Sequence, residues 1–133
     1  MSSENAALIR TYFAAYDRGG LDALAEFWHP DINWRAMEGA LDDVGVMHGP
    51  DAMRAYIEDW EKTFDDTRAE VDEVIDAGDQ AVAVVRVVGR MKGSDAEVDL
   101  RYAIVLSFRD GKIARGREYA TREEALAAAG LPK

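Results

Sequence analysis

The spacing of apolar residues predicts helices at the start of the chain. Four apolar residues recur at the spacing of one helical face: Ile9, Tyr12, Phe13 and Tyr16. This spacing predicts an amphipathic helix over residues 4–18, which Gly19-Gly20 ends. A short second helix is predicted from residue 22 to residue 28, closed by His29-Pro30, because a proline disfavours helical geometry in the residues before it.

The next segment is predicted to form a strand, a loop and a third helix. Residues 31–35 alternate between polar and apolar side chains, with Ile32 and Trp34 on one face, which predicts a short strand. Residues 36–48 contain two glycines and three acids and are predicted to form a loop. The third helix begins at Gly49-Pro50, since proline is tolerated in a first helical turn. Five apolar residues form its predicted buried stripe: Met53, Tyr56, Ile57, Trp60 and Phe64.

After Thr67 the pattern changes to that of β-strands. Strands are predicted over residues 68–76, 80–91, 96–109 and 112–120, and the dipeptides Gly78-Asp79 and Asp110-Gly111 are typical of hairpin turns. A last helix begins at Thr121, where Glu124 completes a capping box. Helices followed by an antiparallel meander predict one α+β domain over residues 1–133, with helices packed on one face of the sheet.

The composition of the chain limits which binding partners and which cellular compartment are expected. With 16 basic and 26 acidic residues the net charge is −10, which disfavours nucleic acid and anionic membrane surfaces. The chain has no cysteine, and its first ten residues lack the basic-then-apolar pattern of a secretion signal. No apolar run approaches the roughly 18 residues that span a bilayer. A cytoplasmic protein is therefore expected.

Two segments carry a resemblance to a known family. One reads AGDQAVAVVRVVGRMKG from Ala77, and the other reads RDGKIARGREYATREEALAAAGL from Arg109. They resemble the SnoaL-like branch of the nuclear transport factor 2 superfamily. Residues 12–22 and 31–34 are similar to the first helix and first strand of ketosteroid isomerase relatives. The resemblance implies a cone-shaped, cystatin-like fold in which helices and a curved sheet enclose a central pocket for a small molecule.

Alternation along the strands sorts side chains into two faces, and the resemblance indicates which face lines the pocket. Seven residues are expected to face it: Trp34, Val84, Arg86, Tyr102, Ile104, Gly116 and Glu118. Small residues are expected to keep it open: Ala114, Gly116 and Ala120. The opposite face is expected to carry a second apolar set: Ala81, Ala83, Val85, Val87, Ala103 and Val105. A homodimer is expected, because this second face needs a cover.

The resemblance also implies where catalytic groups would lie. The tyrosine that donates to a developing oxyanion in the isomerase relatives falls on Tyr12. Their proton-shuttling carboxylate falls on Ala36, and their second, protonated acid falls on Ile104. Neither Ala36 nor Ile104 can be titrated, which argues against ketosteroid isomerisation by that mechanism.

Arg86 and Glu118 are the charged residues expected on otherwise apolar inward faces. A charge in such a place is costly unless it is paired. In one interpretation Arg86 binds a substrate carboxylate or enolate, and Glu118, its pKa raised by burial, moves the proton. In the alternative the two form a buried salt bridge that orders neighbouring strands.

Further candidates are aromatic residues and one histidine. Trp34 and Trp60 are candidates to stack on a flat ligand, and Tyr102 and Ile104 are further substrate-binding candidates. Aromatic residues at this spacing are more often plain core, and the same alternative holds for Tyr12. His48 is either a base near the pocket mouth or a structural residue. The chain has no paired-histidine or carboxylate motif at metal-ligand spacing and no glycine-rich phosphate loop, so no metal and no cofactor are expected.

The favoured interpretation is a homodimer whose subunits each hold a small hydrophobic molecule. Its enzymatic form is a cofactor-free isomerase, cyclase or dehydratase that works by acid–base chemistry. Asp99 and Arg101 resemble part of an epoxide hydrolase arrangement, but alternation puts them opposite Tyr102, which argues against that reaction. The alternative is a non-catalytic module for small-molecule binding or dimerisation, favoured by the apolar residues at positions 36 and 104.

Overall fold

The computed structural model describes residues 2–38 and 45–132. In these ranges the helices are α1 (Ser2–Ala25), α2 (Gly49–Thr63) and α3 (Arg122–Ala128). The strands are β1 (Trp28–Arg35), β2 (Val46–His48), β3 (Phe64–Ala77), β4 (Gln80–Met91), β5 (Glu97–Arg109) and β6 (Lys112–Tyr119). The α+β class predicted from the sequence is confirmed, with an open, curved sheet and helices packed against it.

The first two predicted helices are one element with a break at its second glycine. Gly20 has φ 64° and ψ −151°, a conformation outside the helical region that glycine adopts without steric cost. The prediction that helix continues to Trp28 is wrong, because a turn closes at Phe27, whose N–H donates to the Leu24 carbonyl. Trp28 instead begins β1 and pairs with Ile113 of β6. Pro30 is accommodated where the β1 register shifts.

The predicted loop over residues 36–48 is wrong at its C-terminal end, where β2 pairs antiparallel with β1. Residues 39–44 of that predicted loop lie outside the described residues. Phe64, predicted to belong to the buried stripe of the third helix, has extended geometry (φ −123°, ψ 146°) and begins β3. These boundary differences all come from tertiary pairing that local spacing does not encode.

The six strands form one sheet in the order β2-β1-β6-β5-β4-β3. Neighbouring strands are antiparallel except β1 and β6, which run parallel. The register of this parallel pair sets Trp34 beside Gly116 and Arg35 beside Arg117. Since parallel strands end at the same edge of a sheet, the C-terminal ends of β1 and β6 meet.

The sheet has two different faces. The inner face packs against α1 and α2 and holds the larger core, whose fully buried side chains include Ile9, Ile32, Val85, Ile104, Leu106 and Ile113. The outer face packs in part against α3, where Ala125 and Leu126 cover Val82, Ala103 and Val105. Tyr16 ties the two inner helices together by donating to the Glu61 carboxylate at 2.6 Å.

The predicted faces of β4 are reversed. Ala83 pairs with Ile104 and Val85 with Tyr102 on the inner face. Val84 pairs with Ala103 and Arg86 with Arg101 on the outer face, so the expectation that Val84 and Arg86 face the pocket is wrong. Both faces of β4 are apolar, so alternation separates two sets without indicating which one meets the helices.

The second apolar face is also different from the expected one. Ala81, Ala83 and Val85 belong to the inner core beneath the helices. Ala103 and Val105 do lie on the outer face, but α3 of the same chain packs over them. That part of the sheet is therefore covered without a partner chain. No helix in the described ranges is long and apolar enough to cross a membrane.

Candidate functional site

A carboxylate lies on the inner face, where β6 runs between β1 and β5. Glu118 is the Cα partner of Ile104 on β5. On the other side, the parallel register that pairs Arg35 with Arg117 brings Ala36 next to Glu118, and both line a cleft of about 140 Å³. Glu118 therefore stands between the two positions where the isomerase resemblance puts its acids. A single carboxylate on β6 therefore lies between Ala36 and Ile104.

Trp34 orients this carboxylate. The indole Nε1 of buried Trp34 donates to Glu118 Oε2 at 2.7 Å. A hydrogen bond to an ionised acceptor is about twice as strong as one between neutral groups. Glu118 itself is half-buried, whereas Trp34, Ala36, Ile104 and Gly116 around it are buried. The carboxylate thus reaches accessible space from a well-packed surface.

Gly116 provides room for the Trp34 ring. A Cβ atom at position 116 would lie 2.4 Å from Trp34 Cε3 and 2.5 Å from Cζ3. The expectation that Gly116 keeps a cavity open is wrong, because the indole fills the space that the missing side chain leaves. Ala120 does line the cleft, and Ala114 is buried. The glycine serves the placement of Trp34 and, through it, of Glu118.

Tyr12 adds a neutral hydroxyl to the inner face. It is 4% exposed, and its oxygen accepts a hydrogen bond from Trp28 Nε1 at 2.9 Å. Edge-on contacts with Phe13 and Phe27, with centroids 5.1 and 5.6 Å away, hold its ring. Burial raises the pKa of Tyr12 to about 12, the negative charge of Glu118 adds to that rise, and the Trp28 hydrogen bond opposes it. Tyr12 is therefore a protonated hydrogen-bond donor, and the charge of the Glu118 carboxylate helps to keep it protonated.

Arg86 lies outside this group. On the outer face its guanidinium donates twice to Asp99, from Nε at 2.9 Å and from Nη2 at 2.7 Å. These hydrogen bonds raise the pKa of Arg86, and the same bonds lower the pKa of Asp99. Both interpretations of Arg86, a ligand contact in the pocket and a salt bridge with Glu118, are wrong, because Arg86 lies on the outer face and Glu118 on the inner face. Asp99 and Arg101 lie on the outer face of the sheet, and Tyr102 lies on the inner face, as alternation predicted.

The remaining predicted site residues, Tyr102, Trp60 and His48, lie on three different elements. Tyr102 is half-buried and packs against the inner core next to fully buried Ile104. Trp60 lies on α2 with its ring centroid 4.5 Å from that of Phe64. His48 is exposed at the end of β2 and pairs with Asn33, on the face opposite Trp34 and Met47. The structure thus brings Glu118, Trp34 and Tyr12 together, near Ile104, and leaves His48 apart.

Sequence reasoning missed Trp28. Its predicted position at the end of a helix hid its pairing with β6, and no motif connects it to Tyr12. The one available signal was the proline two residues later, which favours extended geometry before it.

We expect Gly116→Ala to destabilise the fold by about 1–3 kcal/mol, because the added methyl overlaps the Trp34 ring and forces it off Glu118. Urea unfolding followed by tryptophan fluorescence measures the change. Gly89→Ala is the matched control on β4, where a Cβ would meet the Asp65 carbonyl oxygen at 3.2 Å. Equal stability of the two variants would contradict the packing of Trp34 on Gly116.

The raised pKa of Tyr12 predicts a loss of stability at high pH. The neutral phenol is favoured in the folded state, with a pKa of about 12 against 10.0 for the ordinary group. This contribution is complete below pH 10 and is lost as pH rises through 12, by about 2 kcal/mol at pH 12 and about 3 kcal/mol in total. Urea unfolding between pH 9 and 12 should show the wild type losing about 2 kcal/mol relative to Tyr12→Phe. Tyr16, whose pKa burial also raises, is present in both proteins and cancels. Parallel pH profiles would contradict the burial of an ionisable Tyr12.

Comparisons with known proteins agree with this architecture. A protein with a ketosteroid isomerase-like fold from Catenulispora acidiphila, in complex with trimethylamine, matches with a TM-score of 0.72 and 19% identity over 94% of this chain and 93% of its own. A nuclear transport factor 2-like protein from Burkholderia pseudomallei matches with a TM-score of 0.77 and 20% identity over 93% and 95%. TerC, co-crystallised with polyporic acid, matches with a TM-score of 0.76 and 18% identity over 96% and 98%.

At these identities the solved structures show a shared fold. Among curated proteins, none matches the chain significantly. The family model described as a SnoaL-like domain matches residues 9–116, which run from within α1 to within β6 and include α2 and the strands β1 to β5. The chain therefore belongs to the SnoaL-like domain family, as the resemblance of its sequence indicated.

Proposed function

We propose that the inner face binds a small, largely apolar carbonyl compound and that Glu118 moves a proton on it. The observation that carries this proposal is the position of Glu118: a half-buried carboxylate between positions 36 and 104, held by Trp34 at 2.7 Å. The reaction class is a cofactor-free isomerisation, cyclisation or dehydration that begins with removal of a proton next to a carbonyl group.

Each group has a defined part in such a reaction. Glu118 takes the proton from the carbon next to the carbonyl, the electron pair of that C–H bond forms a C=C bond with the carbonyl carbon, and the π pair of the carbonyl moves to its oxygen. Tyr12 donates a hydrogen bond to that oxygen as negative charge develops on it. Return of the proton from Glu118 to a different carbon completes an isomerisation. Trp34 limits the rotation of the carboxylate throughout.

The apolar residues along β5 suggest how the ligand lies. After Ile104, the inner face continues through half-buried Tyr102 to Leu100, which is 43% exposed. The cleft of about 140 Å³ beside Glu118 admits only the reacting end of a ligand, since pockets for whole ligands measure about 300–1,000 Å³. We place the rest of the ligand over Tyr102 and Leu100.

The alternative is a non-catalytic binding module. It is favoured by the absence of a second acid at positions 36 and 104 and by the hydrogen bond that already occupies one Glu118 oxygen. Two proteins of the same fold were crystallised with small molecules, trimethylamine and polyporic acid. Those complexes agree with either candidate, because both require a bound ligand.

Proton removal can be tested with a simple ketone. We expect the wild type to speed deuterium incorporation next to the carbonyl of 1-tetralone in D2O, followed by NMR, and Glu118→Gln to slow it by roughly 10²–10⁴-fold. Glu58→Gln, at an exposed position of α2, is the control and should behave as wild type. Binding without exchange in the wild type would select the binding module instead.

We further propose that two copies pair through the part of the outer face that α3 leaves open. A groove of about 450 Å³ lies there, lined by Val88 and by three arginines and four acids: Arg68, Arg86, Arg90, Asp66, Glu70, Glu97 and Asp99. A surface with both signs of charge is complementary to a second copy of itself about a two-fold axis.

Substitutions at two valines of β4 distinguish an effect on dimer formation from an effect on folding. Val88→Asp, in the outer groove, should give folded monomers by sedimentation velocity with an unchanged circular dichroism spectrum. Val85→Asp, at 0% exposure in the inner core, should destabilise the chain by about 3–5 kcal/mol, because it buries an unpaired charge. A dimer unaffected by Val88→Asp would remove the outer groove as the interface.

A further inference from the structure

The hydrogen bond between Trp28 and Tyr12 has only one possible direction. An indole N–H donates and cannot accept, so the Tyr12 oxygen is the acceptor in their 2.9 Å contact. Both side chains are almost fully buried, at 3% and 4% exposure, so water does not compete for this bond. On the side that faces the indole, the oxygen of Tyr12 therefore acts as the acceptor of this hydrogen bond.

The proton of Tyr12 is left for another partner. A phenol O–H prefers the plane of its ring, which gives it two orientations, and the indole N–H repels the one that points toward it. The hydroxyl proton must then point away from Trp28. Within residues 2–38 and 45–132, Tyr12 makes no hydrogen bond besides the one it accepts, so its donor capacity is unused there. A buried donor without an acceptor is costly unless a ligand atom supplies one.

Both partners are held firmly. The Tyr12 ring is fixed edge-on by Phe13 and Phe27. Trp28 is fixed by β1, since it pairs with Ile113, whose N–H donates to the Phe27 carbonyl at 2.8 Å. The N–H of Trp28 and the hydroxyl of Tyr12 are therefore positioned before any ligand arrives.

We infer that Trp28 is a positioning residue that turns the hydroxyl proton of Tyr12 toward the carbonyl oxygen of the ligand. This inference rests on the proposed function, in which Tyr12 donates to that oxygen. Trp28 touches neither ligand nor reacting atoms and acts through Tyr12. The Trp28 bond also lowers the pKa of Tyr12 against the effect of burial, which strengthens the donor.

The test compares 1-tetralone with tetralin, which has the same rings and no carbonyl. The measured quantity is the ketone preference, the ratio of the two dissociation constants, from isothermal titration calorimetry. We expect Trp28→Phe to lower this preference about tenfold, the value of one hydrogen bond, with little change for tetralin. Tyr12→Phe should abolish the ketone preference. The double variant with Tyr12→Phe and Trp28→Phe should have the same ketone preference as Tyr12→Phe alone.

Two readouts separate positioning from a merely structural role. The infrared carbonyl stretch of bound 1-tetralone should move to higher wavenumber in Trp28→Phe, because its hydrogen bond weakens. If that variant does not fold, the isostere β-(3-benzothienyl)alanine at position 28 removes only the N–H donor. An equal loss for both ligands, or a Trp28→Phe effect that persists beside Tyr12→Phe, would overturn the inference.

The failure of the proposed function gives a different result. In that case the wild type incorporates no deuterium into 1-tetralone, whereas the ketone preference and its reduction in Trp28→Phe remain. The contact itself is tested in the ligand-free protein, where the indole N–H resonance of Trp28 should shift in Tyr12→Phe. A resonance that stays in place would overturn the Trp28–Tyr12 bond directly.

Discussion

The parallel pairing of β1 with β6 is the contact on which the site depends. It sets Trp34 against Gly116, and the missing side chain at position 116 lets the indole lie on the strand. From there the indole N–H reaches Glu118, two residues further along β6. At the other end of β1 the same pairing fixes Trp28 beside Ile113, from where it reaches Tyr12. One strand pair therefore orients both a carboxylate and a hydroxyl.

The electrostatics of the inner layer follow from this arrangement. Tyr12 lies among apolar side chains, where charge is poorly screened, whereas Glu118 is half-buried in a cleft that charged residues also line: Arg35, Glu38, Arg117 and Glu124. The Glu118 charge helps to keep Tyr12 protonated, so the site combines an acceptor of protons with a neutral donor. The guanidinium of Arg86, in contrast, lies on the outer face with Asp99, where it forms part of a charged surface.

Sequence patterns predicted the fold class because strong local signals mark the helices, strands and turns, whereas the inward faces of the strands were expected from the family resemblance. The hairpin turns at Gly78-Asp79 and Asp110-Gly111 predicted the pairing of β3 with β4 and of β5 with β6. The inward direction of Ile104 and Glu118 was also predicted. Arg86 was misplaced because both faces of β4 are apolar, so only the packing of the helices distinguishes them. Trp28 was missed because its two contacts join residues far apart in the chain, which no local periodicity encodes.

The central claim is that the ligand binds on the inner face between Tyr12 and Glu118. The most direct test is a crystal structure of the protein with 1-tetralone. The account predicts the carbonyl oxygen about 2.6–3.2 Å from the Tyr12 hydroxyl, with the adjacent carbon facing the Glu118 carboxylate. A ligand bound instead in the outer groove, against Arg86 and Asp99, would contradict it.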